Sequence, residues 1–384
     1  MLKKFTLRNY KNFKDEIIID FKNIAGYQFS MDCITDGIIS KMLIYGRNAT
    51  GKTNLGTALM DIRVTMFGIS RYGWDGVFLN ADSTEDAAEF SYEFEFDRQV
   101  LKYQYARFSE QQLKEEKLEI DGKLIFECNF VDQKYNFENL WKIGAETANT
   151  ERYRQSINEV EVIDKVQEPM IPFLRWIISN VVLENNSILI KLGDYVRRMV
   201  QISSSNIMAY RPIRIVSDFY ELLENSDRLR DLEEFLNEMG IECKLVLKKL
   251  PDGQRQLYFA HKKLVPFDET ASSGTLALVD LYRRLIPKSW SPSLIYLDEF
   301  DAFYHYEMAE KVMNFLKKKY PGCQIIMTSH NTNLMTNRLM RPDCLFILSG
   351  MGTLTSLCNA TERELREGHN LEKMYISGEF EEYE

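Results

Sequence analysis

The sequence predicts an α/β fold whose core is a mixed sheet, interrupted by a large insertion of strands and helices. Residues 40–67 read as an apolar strand, a glycine-containing loop and a helix. Two further apolar stretches, at 293–297 and 323–328, have the length and composition of buried strands. Because the residues that carry chemistry fall in these two separated parts, we predict that the middle of the chain is inserted between them.

The remaining segments give the order of elements. Hydrophobic residues alternate over residues 2–22, which indicates two strands joined by a turn near residues 9–12. We assign residues 1–66 and 265–384 to the core and residues 67–264 to an inserted α+β region for partner or dimer contacts. The other predicted elements are short strands over 86–130 with a hairpin turn at Asp121-Gly122, mainly helices over 150–240, a hairpin over 243–259 with its tip at 251–253, a helix at 274–286, a helix at 306–319 and a strand at 344–348.

Composition excludes several classes of protein. Hydrophobic residues make up 45% and charged residues 27% of the 384 residues, which is typical of a globular chain. The apolar runs are too short for a membrane span, and the N-terminus has no signal-peptide pattern, so we expect a cytoplasmic protein. The six cysteines form no CxxC pair, which argues against a disulfide framework or a zinc site. A net charge of −9 disfavours a protein that coats nucleic acid by charge alone.

The clearest motif is GRNATGKT at residues 46–53, which satisfies the phosphate-loop pattern G-x-x-x-x-G-K-T. Its glycines allow successive backbone N–H groups to point at phosphates, and the following helix directs its positive end at the same anion. Lys52 is expected to reach the β- and γ-phosphates of ATP, and Thr53 to bind Mg²⁺. The predicted nucleotide-binding residues of this loop are Gly46, Arg47, Asn48, Ala49, Thr50, Gly51, Lys52, Thr53 and Asn54.

Two other predicted strands end in residues suited to phosphoryl transfer. The segment LIYLDEFD at 294–301 delivers Asp298, which can hold Mg²⁺ through water, and Glu299, which can polarise an attacking water. The segment IIMTSHN at 325–331 ends in His330, which we expect to face the γ-phosphate if its strand lies in the same sheet. We therefore predict Lys52, Glu299 and His330 as catalytic residues and Thr53 and Asp298 as metal ligands.

A fourth segment, FDETASSGTLALVDLYRRL at 267–285, begins a helix with Ser272, Ser273, Gly274 and Thr275. A helix that starts with serine and glycine offers hydroxyl and backbone N–H groups to a phosphate. Since the chain already has its own phosphate loop, a second anion site indicates a nucleotide held by a partner subunit. Ser272, Ser273 and Gly274 are therefore also predicted to bind nucleotide.

The order and spacing of these four motifs resemble those of the ABC ATPase superfamily. The serine-glycine segment is similar to the signature of that superfamily but reads ASSGT where LSGGQ is usual. This difference, the opening FTLRNYKNF and the segment DEFDAFYH resemble the SMC/RecF/OLD-like branch rather than transporters. More narrowly, the sequence resembles the AAA15-type ATPases of prokaryotic defence loci (RloA-like proteins and the ATPase of PARIS systems), and the C-terminal REGHNLEKMYISGEF is similar to theirs.

The resemblance implies a P-loop fold of ABC type in which two nucleotides lie between two ATPase heads. Ser273 and Gly274 would then contact the γ-phosphate held by Lys52 of the other subunit, and Asp301 would occupy the D-loop position. It implies ATP and Mg²⁺ as cofactors and a homodimer, with a higher oligomer left open. The OLD relatives carry a TOPRIM nuclease, and this sequence shows no acidic cluster for one, so we expect effector chemistry in a separate nuclease or toxin.

Two functions from different classes follow. The first is an ATPase that senses an invader and regulates a separate effector in anti-phage defence. The second is a DNA-repair or chromosome-maintenance ATPase that closes on DNA, for which Arg197, Arg198, Arg211 and Arg214 are the candidate phosphate contacts. A scaffold that only binds ATP is disfavoured because Lys52, Asp298, Glu299 and His330 are all present. The altered signature and the long insertion disfavour a transporter.

Overall fold

The structure, a computed structural model, describes residues 1–68, 77–158, 170–203, 217–285 and 290–384. Arg211 and Arg214, two of the candidate DNA contacts, lie outside these ranges. The strands of the described residues are β1 (Leu2–Arg8), β2 (Ile17–Asp20), β3 (Ile34–Thr35), β4 (Ile38–Ile39), β5 (Lys41–Tyr45), β6 (Ala88–Phe96), β7 (Gln99–Arg107), β8 (Leu113–Ile120), β9 (Lys123–Asn129), β10 (Lys134–Asn136), β11 (Met199–Ser203), β12 (Leu245–Lys249), β13 (Arg255–Ala260), β14 (Leu264–Pro266), β15 (Leu294–Asp298), β16 (Gln324–Ser329), β17 (Leu345–Leu348) and β18 (Leu354–Ser356).

The helices flank these strands and follow the predicted positions in most places. The predicted helix at 55–67 is divided at Met60, and the predicted helical segment at 218–239 is divided at Asn225, whose side chain accepts from the N–H of Asp227. The helices of the described residues are α1 (Lys52–Leu59), α2 (Asp61–Phe67), α3 (Thr150–Asn158), α4 (Phe173–Asn180), α5 (Ile188–Arg197), α6 (Ser217–Leu223), α7 (Ser226–Glu238), α8 (Phe267–Thr270), α9 (Ser273–Leu285), α10 (Tyr306–Lys319) and α11 (Leu371–Ile376).

The core sheet has the strand order β11-β15-β16-β5-β17-β18. Its first five strands are parallel, and only β18 at the edge runs the opposite way. Strands buried on both faces read as continuous apolar runs, which is why β5, β15 and β16 were predictable from the sequence. The carboxyl ends of parallel strands meet at one edge of the sheet, so the residues that follow these strands converge there.

A second sheet is antiparallel, with the order β10-β9-β8-β7-β6-β1-β2. Its strands alternate between a buried and a solvated face, as the sequence of the first strands predicts. The buried face carries aromatic side chains, and Tyr92 and Tyr105 stack with ring centroids 6.1 Å apart. The hairpin at Asp121-Gly122 and that at 251–253 are both confirmed.

Helices α1 and α2 lie between the two sheets. The hydroxyl of Tyr92, on the antiparallel sheet, donates to the carbonyl of Ala58 at 2.8 Å, and the hydroxyl of Tyr296, on the parallel sheet, donates to the carbonyl of Lys52 at 2.5 Å. Tyr105 donates to the Asp61 carboxylate of α2 at 2.8 Å. A buried tyrosine that donates a hydrogen bond to a helix fixes the position of that helix along its axis, in addition to the packing of the ring. The helix after the glycine loop is thereby fixed from both sides.

The predicted insertion, residues 67–264, contributes strands to both sheets. Strands β6–β10 extend the sheet that β1 and β2 begin, and β11 pairs in parallel with β15 in the core sheet. The expectation that residues 150–240 are mainly helical missed β11, because its five residues, MVQIS, are too few for periodicity to separate from helix. The domain boundaries themselves stay a prediction, and β12–β14 form a small sheet of their own.

Gly56 permits a close approach between α1 and Tyr296 of the core sheet. A Cβ atom at this position would lie 2.3 Å from Cε1 of Tyr296, whose ring is fully buried and whose hydroxyl is bound to Lys52. A glycine inside a helix costs helical stability, so the packing explains its presence. The helix cannot move away without breaking that hydrogen bond.

We expect Gly56→Ala to lower the free energy of unfolding by roughly 1–3 kcal/mol, because an added methyl overpacks the contact with Tyr296. Chemical denaturation measures the change. Gly322→Ala is the matched control, since a Cβ there has no atom within 4 Å, and it should stay within about 0.5 kcal/mol of the native chain. Equal stability of the Gly56 and Gly322 variants would contradict the proposed packing constraint.

Glu116 on β8 joins the antiparallel sheet to α4. Its fully buried carboxylate accepts from the first two N–H groups of that helix, at Phe173 and Leu174, and from the hydroxyl of Tyr103 at 2.9 Å. Burial raises the pKa of Glu116 to about 7, against the opposing effect of these hydrogen bonds. The folded chain therefore holds a proton on Glu116 over a range of pH in which the unfolded chain has lost it.

Since the pKa of Glu116 is higher in the folded chain, its contribution to stability is fully present below the unfolded value of 4.5 and is lost as pH rises to about 7. At 1.36 kcal/mol per pKa unit, the loss is on the order of 3 kcal/mol. We expect Glu116→Gln, which has no proton to lose, to flatten this part of the pH profile of the unfolding free energy. Parallel profiles for the variant and the native chain between pH 4.5 and 7 would contradict the assignment.

Candidate functional site

The glycine loop follows β5 and needs each of its glycines for a different reason. Gly51 has φ of 101°, in the left-handed region, and a Cβ there would lie 2.1 Å from Nδ2 of Asn12. Gly46 lacks a left-handed φ, but its Cβ would lie 2.5 Å from Oγ1 of Thr50 and 3.1 Å from the carbonyl of Leu348. The prediction that backbone torsion explains both glycines thus holds for Gly51, while Gly46 is required by space.

Lys52 begins α1 and folds back over the loop. Its Nζ atom donates to the carbonyls of Gly46 at 2.7 Å and Arg47 at 2.9 Å, and the residue is 4% exposed. Burial lowers the pKa of Lys52, while the nearby carboxylates of Glu299 and Asp298 act in the opposite direction. A buried ammonium held by carbonyls of the loop spans the concave side of the loop, where a polyphosphate would lie.

The carboxylate of Asp298, at the end of β15, is the centre of the site. Its Oδ2 accepts from the hydroxyls of Thr53 at 2.7 Å and Ser203 at 3.1 Å, and its Oδ1 accepts from Thr328 at 3.0 Å. The residue is only 2% exposed, so these hydroxyls compensate for its burial. The structure thus brings together the two predicted metal ligands, Thr53 and Asp298, from positions far apart in the sequence.

These oxygen atoms fit a magnesium ion. Mg²⁺ prefers oxygen ligands and is usually bound by one or two carboxylates together with substrate phosphates and water. Asp298 supplies a carboxylate, and Thr53 and Ser203 supply hydroxyl groups beside it. In the parts of the chain that the structure describes, there is no group of three or more His, Cys, Asp or Glu that could hold a metal by protein ligands alone. A metal here would depend on phosphate oxygens to complete its coordination.

Glu299 has an unusual backbone conformation directly after Asp298. Its φ is 48°, in the left-handed region, and its N–H donates to Oγ1 of Thr328 at 2.8 Å. A non-glycine residue in a sparsely populated region costs about 1–3 kcal/mol and persists where the surrounding structure fixes it. The side chain is half-buried at the same sheet edge as Lys52, whose pKa it influences. This geometry supports a role for Glu299 close to the phosphate loop.

Comparison with known proteins gives the family. Residues 41–336, more than half of the chain, match the model of the family described as "AAA domain, putative AbiEii toxin, Type IV TA system". This chain belongs to that family of AAA domains. The comparison with curated proteins gives no match.

Solved structures give the fold of this AAA domain. The Smc head bound to the C-winged helix domain of ScpA is similar with a TM-score of 0.52 and 14% identity, over 93% of this chain and 97% of that one. The SMC head domain from Thermotoga maritima gives a TM-score of 0.45 and 15% identity, over 92% of this chain and 98% of that one. An Smc head with an extended coiled coil from Pyrococcus furiosus, bound to the C-terminal domain of ScpA, gives 0.45 and 12%, over 99% of both chains. The AAA domain has the ABC-type P-loop fold that the sequence predicts.

The predicted signature segment forms the start of α9 in this AAA domain. The N–H of Thr275 donates to Oγ of Ser272 at 3.1 Å, which makes Ser272 the N-cap of the helix. Ser272 and Ser273 are exposed, and a Cβ on Gly274 would lie 2.9 Å from the carbonyl of Phe303. The expected helix start is confirmed, whereas the contact of Ser272, Ser273 and Gly274 with a nucleotide of another subunit stays a prediction.

Asp301 and His330 lie at the same sheet edge but differ in exposure. Asp301 is 6% exposed, and its Oδ2 accepts from the hydroxyl of Ser329 at 2.8 Å. Burial raises the pKa of the Asp301 carboxyl above its usual range. His330 follows Ser329 and is exposed to solvent. The expected position of His330 at the end of the strand beside β15 is confirmed, since β15 and β16 pair in parallel. The roles of both residues stay predictions.

Two residues of the AAA domain that contact the loop or Asp298 were missed by sequence reasoning. Nδ2 of Asn12 donates to the carbonyl of Thr50 at 3.0 Å, and Oδ1 of Asn12 accepts from Asn54 at 2.7 Å. Ser203 is the last residue of the missed strand β11, so the polar residue at its end was missed as well. The short alternating segment MVQIS followed by a serine run is the signal that identifies it. Asn54, predicted to bind nucleotide, holds Asn12 in this structure.

The C-terminal residues pack on the loop. Residues 378–384 contain four glutamates, a composition typical of a solvated tail, but Phe380 is fully buried and anchors them. The carboxylate of Glu384 pairs with the guanidinium of Arg47, and together with Tyr375 they line a cleft of about 240 Å³ beside residues 46–50. Arg47, predicted to bind nucleotide, is therefore engaged by an acidic side chain in this structure.

Proposed function

We propose that this AAA domain binds ATP with Mg²⁺ and hydrolyses it between two copies of the chain. The observation that supports this most strongly is the hydrogen bond of 2.7 Å between Thr53 and Asp298, which are 245 residues apart, with Glu299 held next to them. Such an arrangement of a phosphate loop, a hydroxyl and an acid pair is the set of groups that phosphoryl transfer requires.

Each group has a distinct part in the proposed reaction. Lys52 and the backbone N–H groups of residues 46–53 bind the triphosphate. Thr53 and Asp298 would hold the Mg²⁺ ion that accompanies the triphosphate. Mg²⁺, when bound, neutralises the charge that develops on the phosphate oxygens. Glu299 orients the attacking water and accepts its proton, and His330 donates a hydrogen bond to the γ-phosphate. Since the transfer itself involves little covalent chemistry for the protein, positioning supplies most of the rate.

The proposed dimer rests on the exposed start of α9. Ser272 and Ser273 are exposed although the resemblance to ABC ATPases places them in the nucleotide site. An exposed helix N-terminus can bind an anion that another subunit presents, through its backbone N–H groups. In this proposal, Ser273 and Gly274 contact the γ-phosphate held by Lys52 of the second copy, and Asp301 occupies the D-loop position.

For the biological role, we propose that ATP-dependent dimerisation regulates a separate effector in anti-phage defence. The family description refers to a toxin of a toxin–antitoxin system, and the narrower resemblance is to AAA15-type ATPases of defence loci. The Smc head is solved in complex with ScpA, so a domain of this fold can carry a separate protein. Residues 67–264 are the proposed contact region, because the phosphate loop and the acid pair lie outside them. We propose a cytoplasmic location, and none of the described helices is both long and apolar enough to cross a membrane.

DNA binding is the alternative, and the surface features give it less support. Arg197 lies over the ring of Phe67 with a distance of 4.7 Å to the centroid, and Arg198 pairs with Asp194 at 2.8 Å. The concave solvated face of the antiparallel sheet carries opposite charges in alternation, with Glu93 between Lys4 and Lys102. A DNA backbone is bound by a basic surface, and this one is mixed. DNA binding therefore remains the alternative function, and the purification from the native host distinguishes it from effector regulation.

We expect Lys52→Ala to abolish ATP binding, and Glu299→Gln to preserve binding while abolishing most hydrolysis. The first change removes the charge that binds the phosphates, and the second removes the proton acceptor but keeps the shape of the side chain. Calorimetric titration with ATP and Mg²⁺ measures binding, and phosphate release measures hydrolysis. Hydrolysis at the native rate by the Glu299 variant would show that Glu299 is not the base.

The same variants test the dimer. Glu299→Gln should accumulate as a dimer in ATP and remain a monomer without it, as measured by light scattering. Adding Ser273→Arg to this variant is the matched control, because it alters the α9 start and leaves the phosphate loop intact. The double variant should bind ATP as a monomer. Loss of ATP binding together with dimerisation would contradict a site shared between subunits.

We expect the Glu299→Gln chain, purified with ATP from its native host, to retain a nuclease-like or toxin-like protein that the Lys52→Ala chain does not retain. A partner that depends on the ATP-bound dimer should be lost when ATP cannot bind. Mass spectrometry identifies the retained molecules. If the variant instead retains DNA, and DNA stimulates hydrolysis by the native chain in a salt-dependent way, the repair function replaces the defence function.

A further inference from the structure

Thr328 lies one residue before the end of β16 and is fully buried. Its hydroxyl takes part in two hydrogen bonds at the centre of the site. It donates to Oδ1 of Asp298 at 3.0 Å and accepts from the backbone N–H of Glu299 at 2.8 Å. A hydroxyl has one proton to donate, so the bond to Asp298 uses it and the bond from Glu299 uses a lone pair. The orientation of the hydroxyl is therefore defined by the two residues of the acid pair.

The main chain around Thr328 strengthens this connection. The N–H of Phe300 donates to the carbonyl of Thr328 at 3.3 Å, and the hydroxyl of the next residue, Ser329, donates to Asp301 at 2.8 Å. The end of β16 thus contacts four consecutive residues, 298–301, of the neighbouring turn. A rigid element that holds catalytic groups positions them more accurately than a free loop can.

The left-handed backbone of Glu299 explains why this connection matters. With φ of 48°, Glu299 has a conformation that it would leave if nothing held it. The hydrogen bond from its N–H to Thr328 fixes the peptide that sets the direction of its side chain. The bond from the same hydroxyl fixes the rotamer of the Asp298 carboxylate. One side chain thereby sets the relative position of the proposed base and the proposed metal ligand.

We propose that Thr328 is a positioning residue that aligns Asp298 and Glu299 for ATP hydrolysis. The inference rests on the proposed function and adds to it a residue on β16, the strand that precedes His330. It follows that any movement of the end of β16 is transmitted to His330 and to the acid pair together. In this proposal Thr328 acts through Asp298 and Glu299 and not through the phosphates.

Thr328→Val tests the proposal, because valine keeps the branched shape and removes both hydrogen bonds. We expect kcat to fall by about 10–100-fold, the range seen when groups that orient metal ligands are removed. The affinity for ATP measured without Mg²⁺ should stay unchanged. Added Mg²⁺ should increase that affinity, and the variant should need a higher Mg²⁺ concentration than the native chain to reach half of the increase. Thr328→Ser, which restores the hydroxyl, should recover most of the lost rate and return the Mg²⁺ dependence to that of the native chain.

Thr65→Val is the matched control for the loss of a buried threonine hydroxyl. Thr65 is 1% exposed, accepts from Arg107 at 2.8 Å and lies in α2 away from the acid pair. This variant should lower Tm without changing the Mg²⁺ dependence of ATP binding. A Thr328→Val chain that keeps the native kcat and Mg²⁺ dependence would overturn the proposal. So would a Thr328→Ser chain as slow as Thr328→Val, since that result assigns Thr328 a packing role alone.

The two proposals can fail separately. A native chain that binds ATP with Mg²⁺ and releases no phosphate would overturn the hydrolytic function. The Mg²⁺ dependence of ATP binding would still decide whether Thr328 positions Asp298, because that measurement needs no turnover. If ATP binding by the Thr328→Val chain and by the native chain depends on Mg²⁺ in the same way, Thr328 does not position Asp298, whatever the rate of hydrolysis.

Discussion

The buried carboxylate of Asp298 is the constraint on which the site depends. It accepts hydrogen bonds from Thr53 on α1, Ser203 on β11 and Thr328 on β16, which come from three separated parts of the sequence. A buried carboxylate without such partners is costly, so each hydroxyl is needed for stability as well as for position. The glycine loop, the strand from the middle of the chain and the strand before His330 are joined by one side chain.

Because of that constraint, the middle of the chain is part of the core sheet and of the site, and not a separate appended region. Strand β11 lies at the edge of the core sheet, and its last residue, Ser203, closes one side of the Asp298 carboxylate. The antiparallel sheet holds α1 and α2 from the other side through Tyr92 and Tyr105. A partner that displaced either sheet would therefore act on the phosphate loop directly, through packed contacts rather than through a flexible connection.

The sequence predicted those parts of the site that depend on local pattern. The glycine loop, the acid pair at 298–299 and the start of α9 each lie within a few residues, where strand and helix signals place them reliably. Ser203, Asn12 and Thr328 were missed because their roles arise only from contacts between segments far apart in sequence. The contact of Glu384 with Arg47 was missed for a related reason: a glutamate-rich segment is typical of a solvated tail, and the burial of Phe380 that anchors this one depends on the rest of the fold.

The burial of Asp301 bears on the proposed ATP-bound dimer. In this structure Asp301 faces inward and is bound to Ser329, so it cannot reach a second subunit without a change at the turn 298–301. That turn is bound to β16 at Thr328 and Ser329, and His330 follows directly. Releasing Asp301 to a partner would therefore shift the end of β16 and move the histidine and the acid pair together. Dimer closure and the alignment of the hydrolytic groups would then be a single structural event.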